Sequence, residues 1–69
     1  MQTLRDLRKQ AGKTCAEVAE ALNITPQAVY RYESGAREIN LAQVIILAQI
    51  YDVSIEDVVL AQLNSQSGQ

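Results

Sequence analysis

The chain has 69 residues, a formal net charge of −2, no histidine and one cysteine, Cys15. A domain of this length buries only about 60% of the surface of its unfolded chain, which leaves no room for an enclosed substrate cavity. No run of the sequence approaches the roughly 18 apolar residues that a membrane span needs. One cysteine excludes an internal disulfide, and without histidine the chain lacks the commonest general base and zinc ligand. We therefore expect one cytoplasmic domain with no catalytic activity, no metal and no cofactor.

Helix caps at regular intervals predict five helices. The first begins after Thr3, with Asp6 three residues on as in a capping box, and ends at Gly12. The second begins after Thr14 in the same pattern and ends at Asn23, which tolerates the left-handed conformation. We expect the apolar residues between these caps to form the buried faces.

The third helix begins after Thr25 with Pro26 in its first turn, where a missing N–H has no cost. It ends at Gly35. The spacing of Val29 and Tyr32 places both side chains on one face, which we expect to be buried.

Two more helices complete the predicted fold. Helix four begins after Asn40 and helix five begins after Ser54, ending near Leu63. The apolar residues in both follow a spacing of three and four, which favours helix over strand. The segment 64–69 is small and polar, which predicts a disordered tail or the start of a linker. The expected fold class is all-α, a compact five-helix bundle over residues 1–63.

The stretch from Thr14 to Gly35 places two short amphipathic helices and a three-residue turn within 22 residues. Ala19 is small where the two helices must cross closely, and Asn23 supplies the turn. Val29 belongs to the apolar seam that joins the helices. The exposed residues of the third helix are then Gln27, Ala28, Tyr30 and Arg31.

Four blocks stand in this order along the chain: LRDLRKQAGKT, EVAEALNIT, AVYRYESG and LAQVIILAQIYDVSIEDV. Together they resemble the lambda-repressor/Cro-like (XRE-like) helix-turn-helix family, and the resemblance covers roughly Leu4 to Val59. Four blocks at matching spacing are far more specific than a lone AxxxN turn. The resemblance implies a sequence-specific DNA-binding transcriptional regulator, with a repressor expected, that reads the major groove with the helix Pro26–Ser34 and associates with the nucleoid.

The resemblance also implies roles for individual residues. Base-edge contacts are expected from Gln27 to adenine, Arg31 to guanine and Ala28 to a thymine methyl. Phosphate is expected at the start of helix two, on Thr14 and the backbone N–H of Cys15. The further DNA-contact candidates are Thr25, Tyr30 and Arg37.

Other positions are structural or depart from the family pattern. The resemblance implies a structural ion pair between Arg8 and Glu33. Cys15 stands where the family usually has glutamine, so a phosphate clamp is lost, and Glu38 brings a negative charge to the loop after the third helix. The thiol of Cys15 is either a redox switch beside phosphate or a small residue at a permissive position. Binding by one subunit should be weak, which makes a dimer more necessary.

An apolar stripe predicts that dimer. The family pattern makes core positions of Leu41, Val44, Ile45, Leu47, Ala48 and Tyr51. The stripe left exposed, with its extension into helix five, consists of Ala42, Ile46, Ile50, Leu60 and Leu63. A symmetric homodimer built on these residues would set two recognition helices roughly 34 Å apart, on a palindromic DNA operator.

The charge distribution leaves a second interpretation open. Residues 1–37 have six basic and four acidic side chains, a net +2, whereas residues 38–69 have four acidic and no basic side chains, a net −4. Residues 1–37 can therefore face DNA phosphate, while the negative charge of residues 38–69 favours their lying away from it. The acidic total and the missing glutamine also fit a protein-interaction or antitoxin-like module that uses the apolar face of helix four.

Overall fold

The computed structural model describes residues 2–67, and all regular structure in that range is helical. The five helices are α1 Leu4–Gln10, α2 Cys15–Leu22, α3 Pro26–Ser34, α4 Leu41–Tyr51 and α5 Ile55–Ser67. The prediction of an all-α five-helix bundle is confirmed. Over the same residues, no helix is long and apolar enough to span a membrane.

The predicted caps fix where the helices begin. In α1 the Thr3 hydroxyl accepts from the backbone N–H of Asp6, and the Asp6 carboxylate accepts from that of Thr3. The Thr14–Glu17 and Asn40–Gln43 pairs repeat this reciprocal arrangement at α2 and α4. Hydrogen bonds from Thr3 lower the pKa of Asp6, and those from Thr14 do the same for Glu17. Each box satisfies N–H groups that a helix start leaves without partners.

Residues in the left-handed conformation end the helices. Asn23 after α2 has φ +58° and Gly35 after α3 has φ +85°, as their residue types predict. Asp52 ends α4 in the same way, with φ +56°. These sharp ends let five short helices fold back on one core.

The core draws on every helix. Val58 of α5 is fully buried, and Leu7 of α1 and Val18 of α2 are almost as completely covered. From α3 the core receives Val29 and Tyr32, as predicted. One face of α3 is therefore fixed by packing, which leaves the opposite face to solvent.

The fifth helix is longer than the sequence predicts. It continues beyond Leu63 to Ser67, so the expectation of a disordered tail is wrong for residues 64–67; residues 68 and 69 lie outside the described range. The reason is Ser65, only 5% exposed, whose hydroxyl accepts from the backbone N–H of Leu4 at 3.0 Å and donates to a carbonyl of α5. The hydrogen-bond partner of this buried hydroxyl is 61 positions away in the chain. No local sequence pattern around Ser65 could therefore predict that it is buried.

The last turns of α5 hold the segments on either side of the stretch Thr14–Gly35. Gln62 accepts from the backbone N–H of Ile39 at 2.6 Å, and Asn64 donates to the carbonyl of Gln2 at 2.8 Å. A Cβ placed on Gly35 would lie 2.8 Å from the carbonyl oxygen of Ser65. The end of α3 therefore rests directly on the backbone of α5.

The exposed face of α4 differs from the predicted stripe. Leu41 and Ile45, expected in the core, are 72% and 40% exposed. Ile46 and Ile50, expected on the exposed stripe, are half-buried against the core, while Ala42 is exposed as expected. Val44, Leu47, Ala48 and Tyr51 are buried as the family pattern implies. The pattern is wrong only at the flanks of this face, where Leu41 and Ile45 turn toward solvent and Ile46 and Ile50 pack partly against the core.

We predict that Gly35→Ala destabilises the protein more than Gly12→Ala. Both glycines have positive φ, so each substitution costs about 1–2 kcal/mol for the left-handed backbone. A Cβ at Gly12 meets nothing within 4 Å, whereas one at Gly35 collides with α5. Urea denaturation should show the larger loss for Gly35→Ala, and equal losses would contradict the contact between α3 and α5.

Candidate nucleic-acid interface

The turn between α2 and α3 sets the direction of α3. Asn23 donates its backbone N–H to the α2 carbonyls of Ala19 and Glu20, and Ile24 donates to Ala19 at 2.9 Å. Ala19 is 2% exposed, which agrees with a small residue at the crossing. The next residue, Thr25, caps α3 by accepting from the N–H of Ala28. The three-residue turn therefore has its backbone groups held at both ends.

The outward face of α3 is polar and unoccupied by the rest of the protein. Gln27 and Arg31 are exposed, and neither side chain has a hydrogen bond or ion pair with residues 2–67. Tyr30 is 61% exposed. Ala28, predicted to be exposed, is half-buried against the core. Its methyl group is therefore less accessible than the side chain of Gln27. Spacing along a helix brings Gln27, Tyr30 and Arg31 to one side of α3.

The Arg8–Glu33 pair forms as predicted and joins three parts of the chain. Nε and Nη2 of Arg8 donate to the two carboxylate oxygens of Glu33 at 2.7 and 3.2 Å, and Nη1 donates to the carbonyl of Lys13 at 3.2 Å. The side chains are 12% and 7% exposed. The bonds to Glu33 raise the pKa of Arg8. A bidentate guanidinium–carboxylate pair fixes orientation as well as distance, so α1 and the approach to α2 are held at a set position on α3.

At the start of α2, the predicted phosphate site has an acidic neighbour. The Glu17 carboxylate accepts from the backbone N–H of Thr14 at 2.8 Å, and the Thr14 hydroxyl accepts from Glu17. Cys15 is half-buried against the core. An incoming phosphate at this helix end would therefore have to share it with a carboxylate.

The loop after α3 holds Arg37 in a way the sequence did not indicate. Its guanidinium carbon lies 5.5 Å from the centre of the Tyr32 ring, within cation–π range. The Tyr32 hydroxyl accepts from Nε2 of Gln43 at 3.2 Å. Glu38, expected near phosphate, accepts from Gln66 of α5 at 3.2 Å. The Tyr32 ring thus restrains the Arg37 side chain, while the Glu38 carboxylate is hydrogen-bonded to α5.

A cleft between α1 and α3, which we call the α1–α3 cleft, adds a feature that sequence reasoning missed. It has a volume of about 270 Å³ and is lined by Arg5, Arg8, Tyr30, Glu33 and Ser34. Two pairs of residues one helical turn apart, Arg5 with Arg8 and Tyr30 with Glu33, are the signal that could have indicated it. Placing these pairs opposite each other required the tertiary structure.

The comparisons with known proteins agree with this geometry. A profile described as Helix-turn-helix matches residues 4–58. An uncharacterised HTH-type transcriptional regulator of Bacillus subtilis (strain 168), YobD, is 36% identical over 55 residues, which are 80% of this chain and 49% of that protein. No solved structure matches. The chain belongs to the lambda-repressor-like (XRE-like) helix-turn-helix family, and it spans about half the length of this relative.

A double-mutant cycle tests the ion pair. Because both side chains are largely buried, Glu33→Leu alone leaves a desolvated guanidinium and should cost about 3–5 kcal/mol of unfolding free energy. Arg8→Met with Glu33→Leu should cost less than the sum of the two single changes. The exposed Lys9→Met is the control and should change stability by less than about 0.5 kcal/mol. Additive losses in urea titrations would show that the pair does not act as a unit.

Proposed function

We propose that this protein is a sequence-specific DNA-binding transcriptional regulator that represses by occupying its operator. The observation that supports this most strongly is the outward face of α3. Gln27 and Arg31 are exposed and unpaired within residues 2–67, on a helix whose other face is fixed by Val29 and Tyr32. Rigid support behind long polar side chains is what base recognition in a groove needs. Such a regulator acts in the cytoplasm, at the nucleoid.

In the proposed complex, α3 enters the major groove. The Arg31 guanidinium donates to O6 and N7 of guanine, and the Gln27 amide pairs with N6 and N7 of adenine. Ala28, half-buried, offers its methyl to a thymine only where α3 approaches the bases closely. We assign the sequence discrimination mainly to Arg31 and Gln27.

The proposed phosphate contacts surround α3. The hydroxyls of Thr14 and Thr25 accept capping bonds, and each retains a proton to donate to phosphate. The backbone N–H of Cys15 lies at the positive end of α2. Tyr30 on α3 and Arg37 in the loop after α3 supply further donors.

A homodimer follows from the exposed apolar residues of α4 and α5. Among the described residues, six of the seven exposed large hydrophobic side chains belong to these two helices. They are Leu41, Ile45, Ile55, Val59, Leu60 and Leu63. A second copy of the chain would cover them and place a second α3 on a palindromic operator. The proposed interface keeps the predicted Ala42, Leu60 and Leu63, which are exposed. It replaces Ile46 and Ile50 with Leu41 and Ile45, and adds Ile55 and Val59.

A protein-interaction or antitoxin-like module is the second candidate. The same exposed apolar side chains and the net charge of −4 over residues 38–69 favour it. In that case the partner covers α4 and α5, and a selection from random DNA enriches no sequence. Enrichment of a palindromic site supports the regulator instead.

Arg31→Ala and Arg37→Ala should weaken DNA binding differently. We expect Arg31→Ala to cost about 1–3 kcal/mol on the selected site and to relax discrimination at one base pair. Arg37→Ala should weaken binding to all sequences and reduce the salt dependence by about one phosphate contact. Fluorescence anisotropy on matched and single-mismatch duplexes measures both. Unchanged DNA affinity in both variants would contradict the DNA contacts proposed for Arg31 and Arg37.

Leu63→Glu should dissociate the dimer. The side chain is 53% exposed, so the substitution leaves the folded monomer intact while placing a charge in the proposed apolar interface. Sedimentation at micromolar concentration should show a dimer for the unmodified protein and for the control Ala21→Glu, an exposed position of α2 outside the proposed interface, and a monomer for Leu63→Glu. An unmodified protein that sediments as a monomer would refute the dimer.

A further inference from the structure

The α1–α3 cleft has the chemistry of an anion site. Its floor is the Arg8–Glu33 pair, in which two full charges compensate each other at 2.7 Å. Arg5 on one wall is exposed and has no ion pair with the residues that the structure describes. The cleft therefore has one uncompensated positive charge.

The neighbouring acidic group is not paired with Arg5. Asp6 follows Arg5 in the chain, but its carboxylate accepts the backbone N–H of Thr3 at 3.0 Å in the capping box. Tyr30 on the opposite wall is 61% exposed and adds a phenolic O–H. A guanidinium and a hydroxyl that line the same cleft are donors suited to the oxygens of a phosphate group.

The position of the cleft relates it to α3. Tyr30 and Ser34 lie one turn apart on α3 and border the face that presents Gln27. Arg8 on the floor also donates to the carbonyl of Lys13, the residue before the cap of α2. The cleft and the start of α2 thus lie on the same side of α3. A DNA strand that passes the start of α2 would continue past the cleft.

We propose, resting on the function above, that the α1–α3 cleft binds a phosphodiester of the DNA backbone, with Arg5 and Tyr30 as its donors. Arg5 then extends the DNA footprint to α1, beyond α2, α3 and the loop after α3. One guanidinium and one hydroxyl bind a free anion weakly. On DNA, however, the base contacts of α3 deliver the phosphate to the cleft at high effective concentration.

The test compares Arg5→Gln with Lys9→Gln on the selected duplex over a range of sodium chloride concentrations. Both substitutions remove one positive charge from an exposed position of α1, but Lys9 does not line the cleft. Arg5→Gln should reduce the slope of log K against log salt by about 0.9, the value for one phosphate contact, and Lys9→Gln should change it far less. Tyr30→Phe should weaken binding about three- to tenfold with the slope unchanged, as expected for one neutral hydrogen bond.

Equal slopes for Arg5→Gln and Lys9→Gln would overturn the cleft as a site, while a continuing effect of Arg31→Ala would leave the readout by α3 intact. Absence of any sequence preference in the unmodified protein would instead remove the proposed function, and this inference with it. Inorganic phosphate titrated without DNA should not saturate the cleft at millimolar concentration, as followed by the NMR signals of Tyr30. Saturation would identify a free-anion site and overturn the assignment to DNA.

Discussion

The relative placement of α1, α3 and the segment before α2 depends on one guanidinium. Arg8 donates three hydrogen bonds, two to Glu33 of α3 and one to the carbonyl of Lys13 before α2. These bonds cross between segments that the chain itself separates by up to 25 positions. Because the pair is largely buried, its attraction is offset by the cost of desolvating both charges, and its net contribution to stability is small. Removing one partner is nevertheless destabilising, since it leaves the other charge buried without a partner. Two helices of a marginally stable small domain are thereby held in fixed relation.

A second restraint acts at the other end of α3. Gly35 packs against the backbone of α5 near Ser65, whose hydroxyl also holds the start of α1. α3 is therefore fixed at Glu33 by charge and at Gly35 by close backbone contact, and Tyr32, next to Glu33, is buried in the core. The restraints all lie on the inner side, which leaves the outer side of α3 to a partner.

The sequence predicted the features that local chemistry decides. Capping residues such as Thr14, and Asn23 in the left-handed conformation, act within a few positions, so their residue types suffice to place the helix ends. Ser65 was missed because its partner is Leu4, and the exposure of Leu41 was missed because the face that α4 turns to the core depends on tertiary packing. Of the candidate site, spacing along α3 indicated the outward face, whereas the α1–α3 cleft required two helices to be brought together.

The central claim is that the outward face of α3 meets DNA while the apolar face of α4 and α5 does not. The most direct measurement is an NMR titration of isotope-labelled protein with a duplex of the selected sequence, following backbone amide shifts. The account predicts that the largest shifts fall on Thr25, on residues 27–31 and at Thr14 and Cys15, with small shifts on Ile55 to Leu63; Pro26 has no backbone N–H. Shifts concentrated on α5, with those of Gln27 and Arg31 unchanged, would contradict it.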